Sequence, residues 1–270
     1  MTENNTNNKS LSIRVCTNGL SFCSYTPLAA TPFEYKVYDI QPTISLAANL
    51  RNALLNEPML KEDYQRVNVL ITTPHFTTVP VAFFKLNDAQ QYYEAAFPKD
   101  KPLHITYNVL RRSGISIVFG LDKNVYQLIH DDFPRARFYA SASTLIEFLG
   151  EKSMIGTNKK MYCYLHEKEM TLYAFDNGKM LFVNTFPVKA ITDIQYYILN
   201  VWQQLGFDQT EDALAIVGDT MAKRQELMDK IQNFIGNVSL IDRREDFREE
   251  ITEGDASIPY DLQTLLVCGF

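Results

Sequence analysis

Residues 161–186 read MYCYLHEKEMTLYAFDNGKMLFVNTF. Met161–Leu165 and Met170–Phe175 are β-rich runs joined by a polar turn at His166–Glu169. Asn177-Gly178 then carries the two-residue signal of a type I′ hairpin and leads into a third run, Lys179–Phe186. Three consecutive antiparallel strands are predicted. A helix follows at Ile191–Leu205, with Ile191, Ile194, Ile198, Val201 and Leu205 on one face and Gly206 at its end. Ala213–Val217 is a short apolar strand, and Thr220–Ile235 is a helix closed by Gly236.

The same order opens the chain. Ser12–Thr17 and Leu20–Tyr25 flank Asn18-Gly19, a second hairpin signal, and Glu34–Asp39 is the third strand. Pro42 and Thr43 introduce a helical pattern to about Asn56, and Val67–Thr73 is apolar enough for a central strand covered on both faces. Further on come a short helix capped by Asn87, strands at Leu103–Leu110 and Gly114–Phe119, and a helix beginning at Asp122. A strand near Arg137–Ala140 and a helix at Thr144–Leu149, with Thr144 and Glu147 at capping-box spacing, complete this half. Ser12 matches Tyr162, Ile44 matches Thr192 and Val67 matches Ala213, so the halves repeat in pattern though hardly in residues.

The polar stretch Gly150–Lys160, with two glycines and no period, is the predicted boundary. Residues 1–10 are expected to form a disordered tail, residues 11–155 the first lobe and residues 156–270 the second. The 270 residues are 46% hydrophobic and carry a net charge of −6, a balance that argues against non-specific nucleic-acid binding. No window reaches the roughly 20 apolar residues of a membrane span, and apolar stretches such as Val79–Phe84 have the length of buried strands. Cys16, Cys23, Cys163 and Cys268 share no metal-binding spacing and read as buried thiols of a reducing cytoplasm.

Three antiparallel strands followed by alternating helices and strands, twice in one chain, resemble the actin-like ATPase superfamily, whose two lobes are of the ribonuclease H-like type. The stretch Phe175-Asp176-Asn177-Gly178-Lys179-Met180-Leu181-Phe182 is similar to the second lobe of its pilus-assembly members. More narrowly, the chain resembles a family of bacterial proteins of this fold without an established activity. The implied architecture is α/β, with mixed sheets and flanking helices.

Active members of the superfamily bind ATP with magnesium through three motifs. The resemblance places the first phosphate motif at Val15-Cys16-Thr17-Asn18-Gly19-Leu20-Ser21, where Thr17 replaces the metal-binding carboxylate and Leu20 the hydroxyl. The second falls at Leu165-His166-Glu167-Lys168-Glu169-Met170, which lacks glycine and carries two acids. The adenosine motif falls at Ala215-Ile216-Val217-Gly218-Asp219-Thr220, with one glycine instead of two, and Asp219 reads as a helix cap. The expectation is a pseudo-ATPase: no catalytic residue, no cofactor and no metal. The alternative is a divergent nucleotide binder or weak ATPase that uses Asn18, Gly19 and Gly218.

Other chemistries find no support. The first strand holds Arg14 and no acid, against a two-metal nuclease. Cys163 and His166 should face opposite sides of their strand, against a thiol–imidazole pair. The run Asp242–Asp255 holds seven acids and three arginines. It is expected to be exposed, and Glu245, Glu249 and Glu250 are its candidate docking residues for another protein, basic or RNA-associated. The reading is a non-catalytic interaction or scaffold protein of the cytoplasm, without direct nucleic-acid binding or membrane insertion.

Overall fold

The computed structural model describes residues 9–17, 19–26, 33–98, 103–218, 221–247 and 258–268. Of the predicted tail only Lys9 and Ser10 are among them, and Ser10 already opens the first strand. The chain divides into two compact units, the first running to Ser143 and the second beginning at Thr144; Ile258 returns to the first, and Pro259 onward belongs to the second.

In the first unit, β1 (Ser10–Cys16), β2 (Gly19–Tyr25) and β3 (Phe33–Tyr38) form an antiparallel meander. After helix α1 (Leu46–Asn56) the chain returns as β4 (Arg66–Ile71), parallel to β1, and later as β8 (Arg137–Ala140), parallel to β4. The sheet order is β3-β2-β1-β4-β8. Alternation places Leu11, Ile13 and Val15 of β1 on the same face as Phe22 and Val69, all of them buried. The α1 cap is Ser45, whose hydroxyl accepts from Ala48 N at 3.1 Å, so the helix starts later than Pro42-Thr43 suggests. The helix beginning at Asp122 is α3 (Lys123–Asp132), and the Asp122 carboxylate accepts from Asn124 N and Val125 N.

Between β4 and α3 lies an insert: β5 (Phe76–Pro80), α2 (Ala89–Ala96), β6 (His104–Leu110) and β7 (Ile115–Leu121). Its sheet, ordered β5-β7-β6, is separate from the five-stranded one. Val79, Val118 and Tyr107 share the face covered by Ala89 and Tyr93 of α2. From the other face, buried Asn108 reaches β8: its amide donates to Phe138 O at 2.8 Å, and its oxygen accepts from Ala140 N and Ser143 Oγ at 2.9 and 2.8 Å. Helix α4 (Ser141–Ser153) therefore begins directly at the end of β8. Thr144 lies inside it rather than at an N-cap, which removes the predicted capping box.

The second unit repeats the plan. Strands β9 (Lys160–His166), β10 (Glu169–Asp176) and β11 (Lys179–Pro187) are antiparallel, α5 (Ile191–Gln204) follows, and β12 (Ala213–Gly218) is parallel to β9. Helix α6 (Met221–Ile231) leads to β13 (Asn237–Leu240), parallel to β12, a strand the periodicity misses because it is only four residues long. The order β11-β10-β9-β12-β13 matches the first sheet position for position, so the predicted duplication of the ribonuclease H-like lobe holds.

Alternation again separates two layers. Met161, Cys163 and Leu165 face α5 and α6 in a core with Ile194, Ile198, Trp202, Leu227 and Ile231. Each fully buried aliphatic side chain contributes about 1.5–3 kcal/mol by leaving water. Tyr162, Tyr164 and Phe175 point to the other side, where Tyr164 meets the ring of Tyr260 at 6.5 Å in helix α8 (Tyr260–Cys268). His166 stacks parallel to Tyr164, so it lies opposite Cys163, as expected.

The two hairpin signals behave differently. Asn177 and Gly178 have φ of 46° and 82°, and Asp176 pairs with Lys179, which is the predicted I′ geometry. In the first unit Gly19 itself pairs with Cys16, so it belongs to the ladder, and it lacks a positive φ. A Cβ on Gly19 would lie 3.1 Å from the Cys16 sulfur, a tight contact across the ladder.

Candidate functional site

The first candidate position is the β1–β2 turn. Thr17 is exposed, Gly19 is half-buried, and the Leu20 side chain is sealed into the core at 2% exposure. The Cys16 thiol donates to Gly19 O at 3.4 Å, a contact that ties the turn to itself. Residue Asn18 lies outside the described residues. The buried polar side chains of β1 are Ser12 and Arg14, and no carboxylate is among them.

The second position, the β9–β10 turn, is built from Glu167 and Lys168. Glu167 takes a left-handed φ of 53°, which costs a non-glycine residue about 1 kcal/mol. His166 Nε2 stands 3.6 Å from the Glu167 carboxylate, and Lys168 O accepts from Val188 N at 2.8 Å. Beside the turn opens a cavity of about 540 Å³, floored by Val188, Ile191 and Ile194 and edged by Lys168, Lys189 and Lys223. Glu167 and Glu226 also line it, so its charge is mixed. Only the turn itself was legible as a site in the sequence; the lining residues come from β11–α5 and α6, far apart in the chain.

The third position is the end of β12. Gly218 has φ 86° and pairs with Leu165 across the ladder. A Cβ there would lie 2.1 Å from Leu165 O and 2.9 Å from the Tyr164 ring. Only glycine can hold that place, so strand packing accounts for it. Asp219 and Thr220 lie outside the described residues.

The acidic run divides. Helix α7 (Arg243–Asp246) opens on Asp242, whose carboxylate accepts from Arg244 N at 3.0 Å. Glu245 is exposed, as expected, whereas Glu249 and Glu250 lie outside the described residues. Asp246 departs from the expectation of exposure. Its side chain is 3% exposed, forms an ion pair with Lys152 of α4 and accepts from Tyr260 OH at 2.7 Å. Next to it Phe247 is buried and stacks on Phe148 at 5.3 Å. The reason is tertiary: Lys152 and Tyr260 satisfy the Asp246 carboxylate inside, and Phe148 and Tyr260 pack against Phe247. Burial lowers the Lys152 pKa, opposed by the nearby charge of Glu245, and burial raises the phenols of Tyr162 and Tyr260.

Among the described residues no helix is long and apolar enough to cross a membrane. None of the four cysteines forms a disulfide among the described residues; Cys16, Cys23 and Cys163 are buried and Cys268 is partly buried.

Among curated proteins no relative matches the chain. Solved structures do, among them the following two. A Bacteroides thetaiotaomicron protein with an actin-like ATPase fold and unknown function is 30% identical, with a TM-score of 0.83 and 99% of each chain covered. The PilM–PilN type IV pilus biogenesis complex gives 10% identity and a TM-score of 0.53, over 95% of this chain and 94% of that one. The duplicated sheets and this likeness establish the actin-like ATPase fold. Residues 1–238 match the family described as protein of unknown function DUF3822, and the chain belongs to that family.

Proposed function

We propose that the chain is a non-catalytic interaction protein, a pseudo-ATPase that keeps the actin-like fold and works in the cytoplasm without ATP, magnesium or another cofactor. The observation that carries this reading is the β1–β2 turn. Thr17 stands, without a carboxylate, where a magnesium-binding one belongs, and Leu20, where a hydroxyl belongs, is committed to the core. A triphosphate with its metal carries several negative charges, and the acidic turn at Glu167 offers it no glycine backbone to approach. Gly218 is retained for a steric reason within its own sheet and so gives no support to a nucleotide role. These residues do not fit magnesium–ATP. The alternative reading, a divergent nucleotide binder using Asn18, Gly19 and Gly218, rests on two glycines and one turn asparagine.

A protein partner fits this reading, since the structure similar over most of the chain is a complex between PilM and another protein. We assign Glu245, which is exposed, together with Glu249 and Glu250 of the same run, to the binding of a basic or RNA-associated protein. Isothermal titration with magnesium–ATP tests the core of the proposal. Affinity no tighter than about millimolar, roughly −4 kcal/mol, is expected. A low-micromolar dissociation constant would overturn it in favour of the nucleotide binder.

A further inference from the structure

Val79–Phe84 is an apolar stretch with the length of a buried strand, yet its second half is largely exposed. Pro80 ends β5; the chain then turns through two 3₁₀ segments, Val81–Phe83 and Leu86–Asp88. Phe83 is 73% exposed and Leu86 60%, with Val81 also open to water. Single exposed apolar residues are ordinary on protein surfaces. Three within six residues of one rigid segment are not.

The segment is held in place. Val81 N donates to Gly114 O at 2.9 Å, Phe84 N to Val81 O at 3.2 Å and Asp88 N to Lys85 O at 3.0 Å. Tyr92 of α2 donates from its hydroxyl to Phe83 O at 2.9 Å. Phe84 occupies the inward slot, with its ring 5.1 Å from Tyr107 and 5.8 Å from Tyr92. With Phe84 inside, Phe83 cannot also turn in. On the same sheet face as Tyr107, two residues further along β6, Val109 is exposed as well. The apolar groups thus lie at one end of the α2-covered face of the insert.

Charge surrounds them. Lys85 sits within the segment and is exposed, and the bond from Val81 to Gly114 brings the β6–β7 turn, with exposed Arg111 and Arg112, to its start. Over the described residues 72–98 and 103–121 the basic residues are Lys85, Arg111 and Arg112 against two acids, a local excess of one positive charge in a chain of net −6. The acids on described elements are Asp88 and Glu94, and Glu94 accepts from Gln90 on α2 at 2.6 Å.

We propose that this end of the insert is a docking surface for a partner protein, and that it takes a short acidic segment carrying aliphatic or aromatic side chains. The apolar groups of that segment would cover Phe83, Leu86 and Val81, while its carboxylates would meet Lys85, Arg111 and Arg112. Pre-organisation favours such binding, because no loop has to be ordered when the partner arrives. The charge excess is opposite to that of the acidic run, so this surface serves a different partner, or a different part of one, from the surface containing Glu245.

The test is selection of random twelve-residue peptides on the immobilised full chain, repeated on Phe83→Ser/Leu86→Ser and on Arg111→Glu. Enriched peptides should combine Asp or Glu with Leu, Ile or Phe. Their affinity should fall at least tenfold on the double variant and weaken on Arg111→Glu and in high salt. Both variants should melt like the parent, since the altered side chains are in water. Absence of an enriched class, or peptides that bind the double variant equally, overturns the proposal. It is also overturned if the surface instead binds vesicles of phosphatidylglycerol and phosphatidylcholine, or drives self-association in sedimentation, in a way that the double variant abolishes.

Discussion

Replacing Gly218 by Ala should be among the most damaging single-methyl changes in the chain. The added Cβ meets two obstacles. The φ of 86° is a conformation that costs an L-residue about 1–2 kcal/mol. The carbonyl oxygen of Leu165 would stand 2.1 Å from the new carbon, and that oxygen belongs to the backbone of a central strand. A side chain could swing aside; β9 cannot, because it is paired on both edges, to β10 and to β12. Relief requires the end of β12 to pull away from β9, which loses one or two ladder hydrogen bonds at about 1 kcal/mol each. The expected loss is about 2–4 kcal/mol, read as a lower urea midpoint at unchanged slope. Two other glycines act as internal standards. Gly178→Ala meets a similar φ of 82°, but its Cβ strikes the flexible Met154 side chain, so about 1 kcal/mol is expected. Gly19→Ala, without positive φ and with only the Cys16 sulfur at 3.1 Å, should cost less than Gly178→Ala. If Gly218→Ala lost less than about 1 kcal/mol, the steric account of Gly218 would fail, and a glycine kept for ligand approach would become the better explanation.

Further outcomes follow from particular contacts. Asn108→Ala should cost about 1–3 kcal/mol in denaturant titration, since Ala140 N and Phe138 O lose their partner in the interior. Asp246→Ala should destabilise the chain by leaving Lys152 without its buried counter-ion, while Glu245→Lys at the surface should change stability by no more than about 0.5 kcal/mol; the reverse order would show the acidic helix to be misread. His104 is half-buried against Tyr126, and burial first, then the charges of Lys123 and His130, lowers its pKa below 6.5. A base with a depressed folded pKa contributes stability that is present above its unfolded value and lost as pH falls below about 6.5. Urea midpoints at pH 7.5 and 5.5 should therefore differ more for the parent than for His104→Gln, and equal differences would remove His104 as the cause.

Much of the architecture was legible before any coordinates because it is written in local rules. The β-rich runs of 161–186, the φ demands of Asn177-Gly178 and the 3.6-residue period of Ile194, Ile198 and Val201 each depend on neighbours in the chain. They suffice for two copies of three strands, a helix and a strand. The missing carboxylate at Thr17 was legible in the same way, as a residue type at a turn. Other features were settled by partners distant in sequence. Whether Gly19 lies in the first turn or in the ladder depends on which residue faces Cys16. The insert became its own sheet because β7 pairs with β5 and β6 instead of extending the strands around β4. Asp246 was buried by Lys152 and Tyr260, residues 94 and 14 positions away. Phe83 and Phe84 are adjacent and identical in type, yet one is packed between tyrosines and the other stands in water. Local propensity treats the two alike, and only the packing of α2 on its sheet, with room for a single ring beside Tyr92 and Tyr107, separates them.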